Sequence, residues 1–184
     1  MQESNAPPSR RGQLIAVAVL IAAAVAGGTL FLLQGPERPA ELRSAADAAA
    51  AAGHLDEAVI GYKNLLQQNP QDLDIRRRLG KLYLRDRQPR LALKELRRAF
   101  PLRAKFPDID LDIARARLAL GEYREALASL TVYAGPRTGE VDAIEATARA
   151  ALGDIAEARE VLGKATTREP DTASLHLATA RLAL

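Results

Sequence analysis

The sequence predicts an all-α protein: a right-handed α-solenoid of about four stacked helical hairpins and a terminal helix, preceded by one transmembrane helix. Three observations predict it. A short phrase returns at Gly53-His-Leu-Asp-Glu-Ala58, Arg87-Gln-Pro-Arg-Leu-Ala92, Gly121-Glu-Tyr-Arg-Glu-Ala126 and Gly153-Asp-Ile-Ala-Glu-Ala158, so its alanines fall 34, 34 and 32 residues apart. A fixed period of that size marks an array of helical hairpins. Apolar residues recur at helical spacing upstream of the phrase, as in Ile75, Leu79, Leu82 and Tyr83, or Ile109, Ile113, Ala116 and Leu120. Finally, residues 14–33 are twenty in a row without a charge.

In chain order, residues 1–13 are polar and read as a disordered tail, with Arg10 and Arg11 directly before the apolar run. Residues 14–34 read as a signal-anchor helix, because about twenty apolar residues at ~1.5 Å each span the hydrocarbon of a bilayer. Cleavage after Ala26 is the rival, since Ala24-Val-Ala26 is a small-residue site. Cleavage would leave Thr29-Leu-Phe-Leu-Leu33 as an apolar new terminus, which favours retention. Arg10 and Arg11 place the N-terminus in the cytoplasm and the repeats across the membrane. The expected location is a bacterial inner membrane, crossed once, with the repeats in the periplasm. Residues 35–38 form a short linker, stiffened by the prolines around it.

The repeats divide as 39–72, 73–106, 107–138, 139–172 and a partial 173–184. In each full unit the first helix stops at the Gly of the phrase, or at Arg87 in the degraded copy, where the chain must reverse. The Ala that follows marks a close approach of two helix backbones. It opens a second apolar stripe, such as Ala58, Tyr62, Leu65 and Leu66, or Ala158, Val161, Leu162 and Ala165. Pro70 and Pro170 close their units, because proline disfavours helix in the residue before it. The short third unit places its deficit around Ala134-Gly-Pro-Arg-Thr-Gly139, which predicts a clipped second helix. In the partial unit, Leu177, Leu182 and Leu184 lack a second helix; the expectation is a cap, a docking surface or the front of a longer array.

These residues resemble the tetratricopeptide repeat family. Numbered from Pro39, the small residue at position 8 is Ala46, the Ala at 20 is Ala58, the aromatic at 24 is Tyr62 and the Pro at 32 is Pro70. The second unit supplies Leu79-Gly80, Tyr83, Ala92, Leu96 and Ala99. The third keeps Ala114, Gly121 and Ala126 but has Arg117 where the family favours Tyr. The fourth keeps Ala146, Gly153, Ala158, Ala165 and Pro170. The resemblance implies that first-helix positions 2, 5, 9, 12 and 13 line a concave groove. Within the family, phrases such as Glu95-Leu-Arg-Arg-Ala99 resemble bacterial envelope proteins of exopolysaccharide and PEP-CTERM (exosortase) sorting systems.

Charge is uneven along the array. Leu73–Phe106 holds twelve Lys and Arg against three acids, whereas Pro107–Leu184 holds nine against thirteen and Pro36–Asp72 three against six. The groove positions implied by the resemblance include Arg43, Arg77, Lys81, Arg85 and Arg115, interrupted by Asp47 and Asp74. Two readings stand side by side: a groove for an acidic or C-terminal carboxylate ligand, or a solvated face balanced by its acidic neighbours. A family-type carboxylate clamp is not assigned, because Asp47 and Lys81 stand where its asparagines are sought. Leu84, Leu111 and Leu118 are the apolar candidates for the groove.

Several function classes find no support. The chain has no Cys, which excludes disulfides and thiolate metal sites, and no Trp among scarce aromatics, which speaks against a base-stacking platform. No catalytic residue, cofactor site, metal site or nucleic-acid role is expected. His54 and His176 are separated by more than three repeats and neither has a ligand-spaced partner. Asp108, Asp110 and Asp112 alternate like a metal loop but lack its Gly and distal Glu, so they read as acids at a helix start. The expected function is a membrane-anchored scaffold that holds a protein or peptide partner in its groove, in polysaccharide export or protein sorting. The alternative is a chaperone-like accessory of the translocation machinery that holds unfolded chains.

Overall fold

In a computed structural model the described residues are 38–183. The expected tail at 1–13, the expected anchor at 14–34 and the expected linker up to residue 37 lie outside them. Contacts divide the chain within the first helix, into Met1–Glu41 and Leu42–Leu184, and the second unit holds the array. Among the described residues no helix is long and apolar enough to cross a membrane.

The described residues form helices joined by turns, with no strand. First helices are α1 (Pro39–Ala52), α3 (Leu73–Arg85), α5 (Asp108–Ala119), α7 (Gly139–Ala151) and α9 (Ala173–Ala183). Second helices are α2 (Leu55–Gln68), α4 (Pro89–Ala99), α6 (Tyr123–Thr131) and α8 (Ile155–Arg168), with a 3₁₀ turn at Phe100–Leu102 after α4. Helix α6, nine residues long, is the shortest of the second helices. From α2 onward each helix packs on the next, and the first helices also touch one another along α3, α5, α7 and α9.

The recurring phrase folds the same way at every copy. Gly53, Gly121 and Gly153 have φ of 84°, 77° and 95°, in the left-handed region. The residue after each Gly donates its N–H five residues back, as in His54 to Ala49 O at 2.9 Å and Asp154 to Arg149 O at 3.0 Å. That long bond satisfies a carbonyl the helix end would leave open. Arg87 adopts the same geometry with a φ of 55°, and Gln88 donates to Tyr83 O at 2.8 Å. The degraded copy therefore keeps the turn and bears its strain.

Helix starts are secured by different means. Asp72 caps α3 by accepting from Ile75 N at 3.0 Å, and Pro89 opens α4 where a missing N–H costs nothing. Glu169, from the end of α8, accepts from Gly139 N at 2.8 Å and so caps α7 from another helix.

The phrase alanines Ala58, Ala92, Ala126 and Ala158 are all 0% exposed. The neighbouring backbones are close enough that side-chain growth has no room. A Cβ on Gly80 would stand 2.6 Å from Leu96 Cγ, and one on Gly61 2.7 Å from Ala46 Cβ. Around these contacts, Ile75, Leu79, Leu96, Ile109 and Ile113 belong to one apolar cluster spanning α1 to α5. A second cluster joins α7, α8 and α9, and a small third one, around Leu111, Ala114, Val141 and Ile144, joins α5 to α7.

Two substitutions test this account by urea unfolding. Gly80→Ala should lose about 1–3 kcal/mol through overpacking against Leu96. Arg87→Gly should gain roughly 0.5–1 kcal/mol by removing the left-handed strain of a side-chain-bearing residue.

Candidate functional site

The first helices carry a charge pattern with the period of the repeat. Position 2 of each full unit after the first is acidic: Asp74, Asp108 and Glu140. Each accepts from cations at position 5 or 9 of the unit before. Arg43 pairs with Asp74; Arg77 and Lys81 reach Asp108 at 3.5 and 2.7 Å; Arg115 grips both oxygens of Glu140. Local pairs fill the spaces. Arg78 binds Asp74 at 2.9 Å and reaches Asp47 at 3.1 Å, and Arg77 lies 3.3 Å from Asp74. Asp112 takes Arg115 and faces Lys81 at 3.7 Å. The pairs therefore run without a break from α1 to α7.

This ladder changes the reading of the groove. Arg43, Arg77, Arg78, Lys81 and Arg115 meet Asp47, Asp74, Asp108, Asp112 and Glu140, five charges against five. Arg85 donates instead to Ala50 O at 2.8 Å, tying α3 to the end of α1, whose last turn has no basic residue. All five predicted groove cations thus bridge helices. Leu84 and Leu118 are half-buried against the core, and Leu111 is buried at 6% exposure beside Ala114 and Val141. Leu111 thus packs α5 on α7 and leaves little apolar surface open to the groove.

Asp108 and Asp110 stand in the first turn of α5, as expected of helix-start acids, and the acids of this helix are also paired or buried. Asp108 receives Arg77 and Lys81 from the preceding repeat, while Asp110 and Asp112 are buried at 4% and 1%. Burial pushes the Asp112 carboxyl up, against the pull of Lys81 and Arg115, and among the described residues one of its oxygens has no hydrogen-bond partner. Burial also raises Asp110, which Arg103 opposes. Asp74 goes the other way: burial would raise it, but the hydrogen bonds and charges of Arg78 and Arg77 outweigh that and hold it low. On Tyr62, burial and the hydrogen bond it donates to Asp47 at 2.6 Å push the phenol up to about 12. Arg117 donates to Glu125 O and Ser129 Oγ at 2.9 and 2.7 Å, holding α5 on α6. Among the described residues no group of three His, Cys, Asp or Glu could hold a metal.

One open cleft remains at the loop end of the ladder. Arg43, Arg77, Arg78 and Lys105 surround it, with Asp74 as its acid and Leu73, Leu102 and Phe106 as its apolar floor. The Arg77 guanidinium stacks 4.0 Å from the Phe106 ring and Lys105 lies 5.2 Å from it. Among the described residues the buried Arg77 Nε has no hydrogen-bond partner. Sequence reasoning missed Arg78, Lys105 and Phe106. The position-2 acids could have been found there, since Asp74 and Asp108 are one period apart.

Helical hairpins in register, with small residues at the crossings and a walled cleft, define a helical-repeat solenoid. The model of the tetratricopeptide repeat family matches residues 39–82. MamA of MSR-1 is similar at 20% identity, with a TM-score of 0.66 over 80% of this chain and 86% of that one. A thermophilic tetratricopeptide protein of Thermus thermophilus aligns at 24% identity and TM-score 0.58, over 92% of this chain and 93% of its own. Pseudomonas aeruginosa pilF gives 16% and 0.64, over 82% and 69%. No curated protein matches the chain in sequence. The chain thus has the fold of a tetratricopeptide repeat protein, an all-helical solenoid over its described residues.

Two measurements check the ladder. A double-mutant cycle on Arg115 and Glu140 should give a coupling of about 0.5–1 kcal/mol, because the pair is bidentate but part-exposed. Asp74 lies below its unfolded value in the fold, so it stabilises at neutral pH and that share is lost as pH falls through the lowered value. Asp74→Asn should therefore show a smaller drop in Tm than wild type between about pH 5 and about pH 2.

Proposed function

We propose that the chain is a membrane-anchored scaffold that holds a segment of a protein partner in the cleft of Arg43, Arg77, Arg78, Lys105 and Phe106, within a bacterial envelope assembly. The cleft itself is the observation that supports this reading most. Its cations outnumber its single acid, Asp74, and an aromatic floor lies beneath them. An acidic segment with one apolar side chain matches that chemistry: carboxylates meet guanidinium groups at the wall, and the apolar group covers Phe106 and Leu102. Arg43, Arg77 and Arg78 are also paired within the ladder, so Lys105 is the wall cation that the ladder does not neutralise. The apolar run at residues 14–33 supports an anchor, and Arg10 and Arg11 support repeats on the far, periplasmic side. Polysaccharide export or protein sorting is the setting in which such an anchored array would work. The holding-chaperone reading draws less support, because Leu111 is buried and the groove offers little continuous apolar surface.

Lys105→Glu with Phe106→Ala should weaken the capture of a stoichiometric envelope partner by at least about tenfold, since each change removes on the order of 1 kcal/mol at a binding centre. Quantitative cross-linking in detergent-solubilised membranes reads this, with unchanged helical circular dichroism as the folding control. Equal capture by both proteins would overturn the cleft assignment. Alkaline carbonate extraction and protease accessibility of the full chain test the anchor and its orientation.

A further inference from the structure

The surplus positive charge of the second repeat lies elsewhere. Helix α4 presents Arg90, Lys94, Arg97 and Arg98, all at its surface, and the following loop adds Arg103 and Lys105. At about 100° per residue, Arg90, Leu91, Lys94, Arg97 and Arg98 share an arc of roughly 120°, opposite the buried Ala92, Leu96 and Ala99. The acid of α4, Glu95, is buried and bonded to Arg76 at 2.6 Å, leaving only a 3.7 Å approach from Arg98. Among the described residues Arg90, Lys94, Arg97 and Arg103 form no ion pair. Leu91 stands on this arc at 39% exposure, while Phe100, at the end of the helix under the Arg103 guanidinium at 4.7 Å, turns toward Ile113 and Ser129.

We propose that this outer face of α4 is a docking surface for an anionic lipid bilayer. A row of cations on one exposed helix arc, without carboxylates between them, complements a uniform negative surface better than the mixed charges of a folded protein. Leu91, on the same arc as the cations, supplies the shallow apolar contact that interfacial helices use at the headgroup boundary. The sequence adds proximity. The apolar run ends at Leu33, a few residues before α1, so an anchored chain keeps the repeats at high effective concentration beside a membrane. That last point rests on the anchor reading above; the charge and exposure of α4 do not.

The chain has no Cys, so Leu91→Cys carries a single environment-sensitive fluorophore. The full chain is presented to phosphatidylcholine vesicles and to vesicles containing phosphatidylglycerol. The expected result is a blue shift on the anionic vesicles alone. Arg90→Glu with Lys94→Glu and Arg97→Glu should weaken it by at least about tenfold, as these residues act at the membrane surface. Arg90→Lys with Arg97→Lys should retain it, which separates loss of charge from loss of fold. No shift, an equal shift on neutral vesicles, an undiminished shift in the charge-reversed chain, or a shift caused equally by soluble polyglutamate would overturn the proposal. Flotation with neutral vesicles in high salt reports the anchor by itself, so its failure is read separately from the probe.

Discussion

The structure depends on how closely two helices can approach at the alanine of each repeat. Ala58, Ala92, Ala126 and Ala158 have no accessible surface, and missing side chains at Gly61 and Gly80 leave room for Ala46 and Leu96. Close approach lets the larger side chains on either side interdigitate at the density of a protein interior. It also fixes where each hairpin turns, because the alanine follows the left-handed turn residue by five positions in every copy. The turn, the crossing and the stacking of the next repeat are thus one repeated constraint. Arg87 shows its strength: an unfavourable residue is held at a φ of 55° because the packing around it demands the turn.

Once the first helices are stacked, their charges face one another at repeat-to-repeat distance. Each exposed pair contributes little stability by itself. The pairs share partners, however, so Asp74 binds Arg43, Arg77 and Arg78, while Lys81 spans Asp108 and Asp112. A shift of one helix past the next would break several pairs together, which ties the ladder to register. The same sharing uses up charge that could otherwise meet a ligand. What remains for recognition is at the edges: the cleft closed by Lys105 and Phe106, and the outer arc of α4.

The hairpins, their turns and the buried alanines were legible because they repeat. Periodicity repeats the same local signal and removes the ambiguity of any single copy. Leu111 was not legible in this way. It shares the apolar character of Leu84 and Leu118, and its burial follows from the approach of α7, where Val141 and Ile144 close over it. The groove cations were placed on first helices by the repeat numbering, but their partners lie one repeat away. Pairs between Arg43 and Asp74, or Lys81 and Asp108, become neighbours only after stacking. The signal was present in the acids one period apart, and it is interpretable once consecutive first helices are known to lie side by side.

The sequence by itself determined the all-α class, the length of the repeat and the residues at turns and crossings. Those properties rest on local backbone preference and on side-chain size, which a residue carries wherever it is placed. Tertiary structure decided which charges are neutralised, which are left for a partner and which leucines are covered. The physical reason is that ion pairing and burial depend on what lies across the interface. Arg77 and Arg97 have the same chemistry, yet one is held between Asp74 and Asp108 while the other stands exposed on α4.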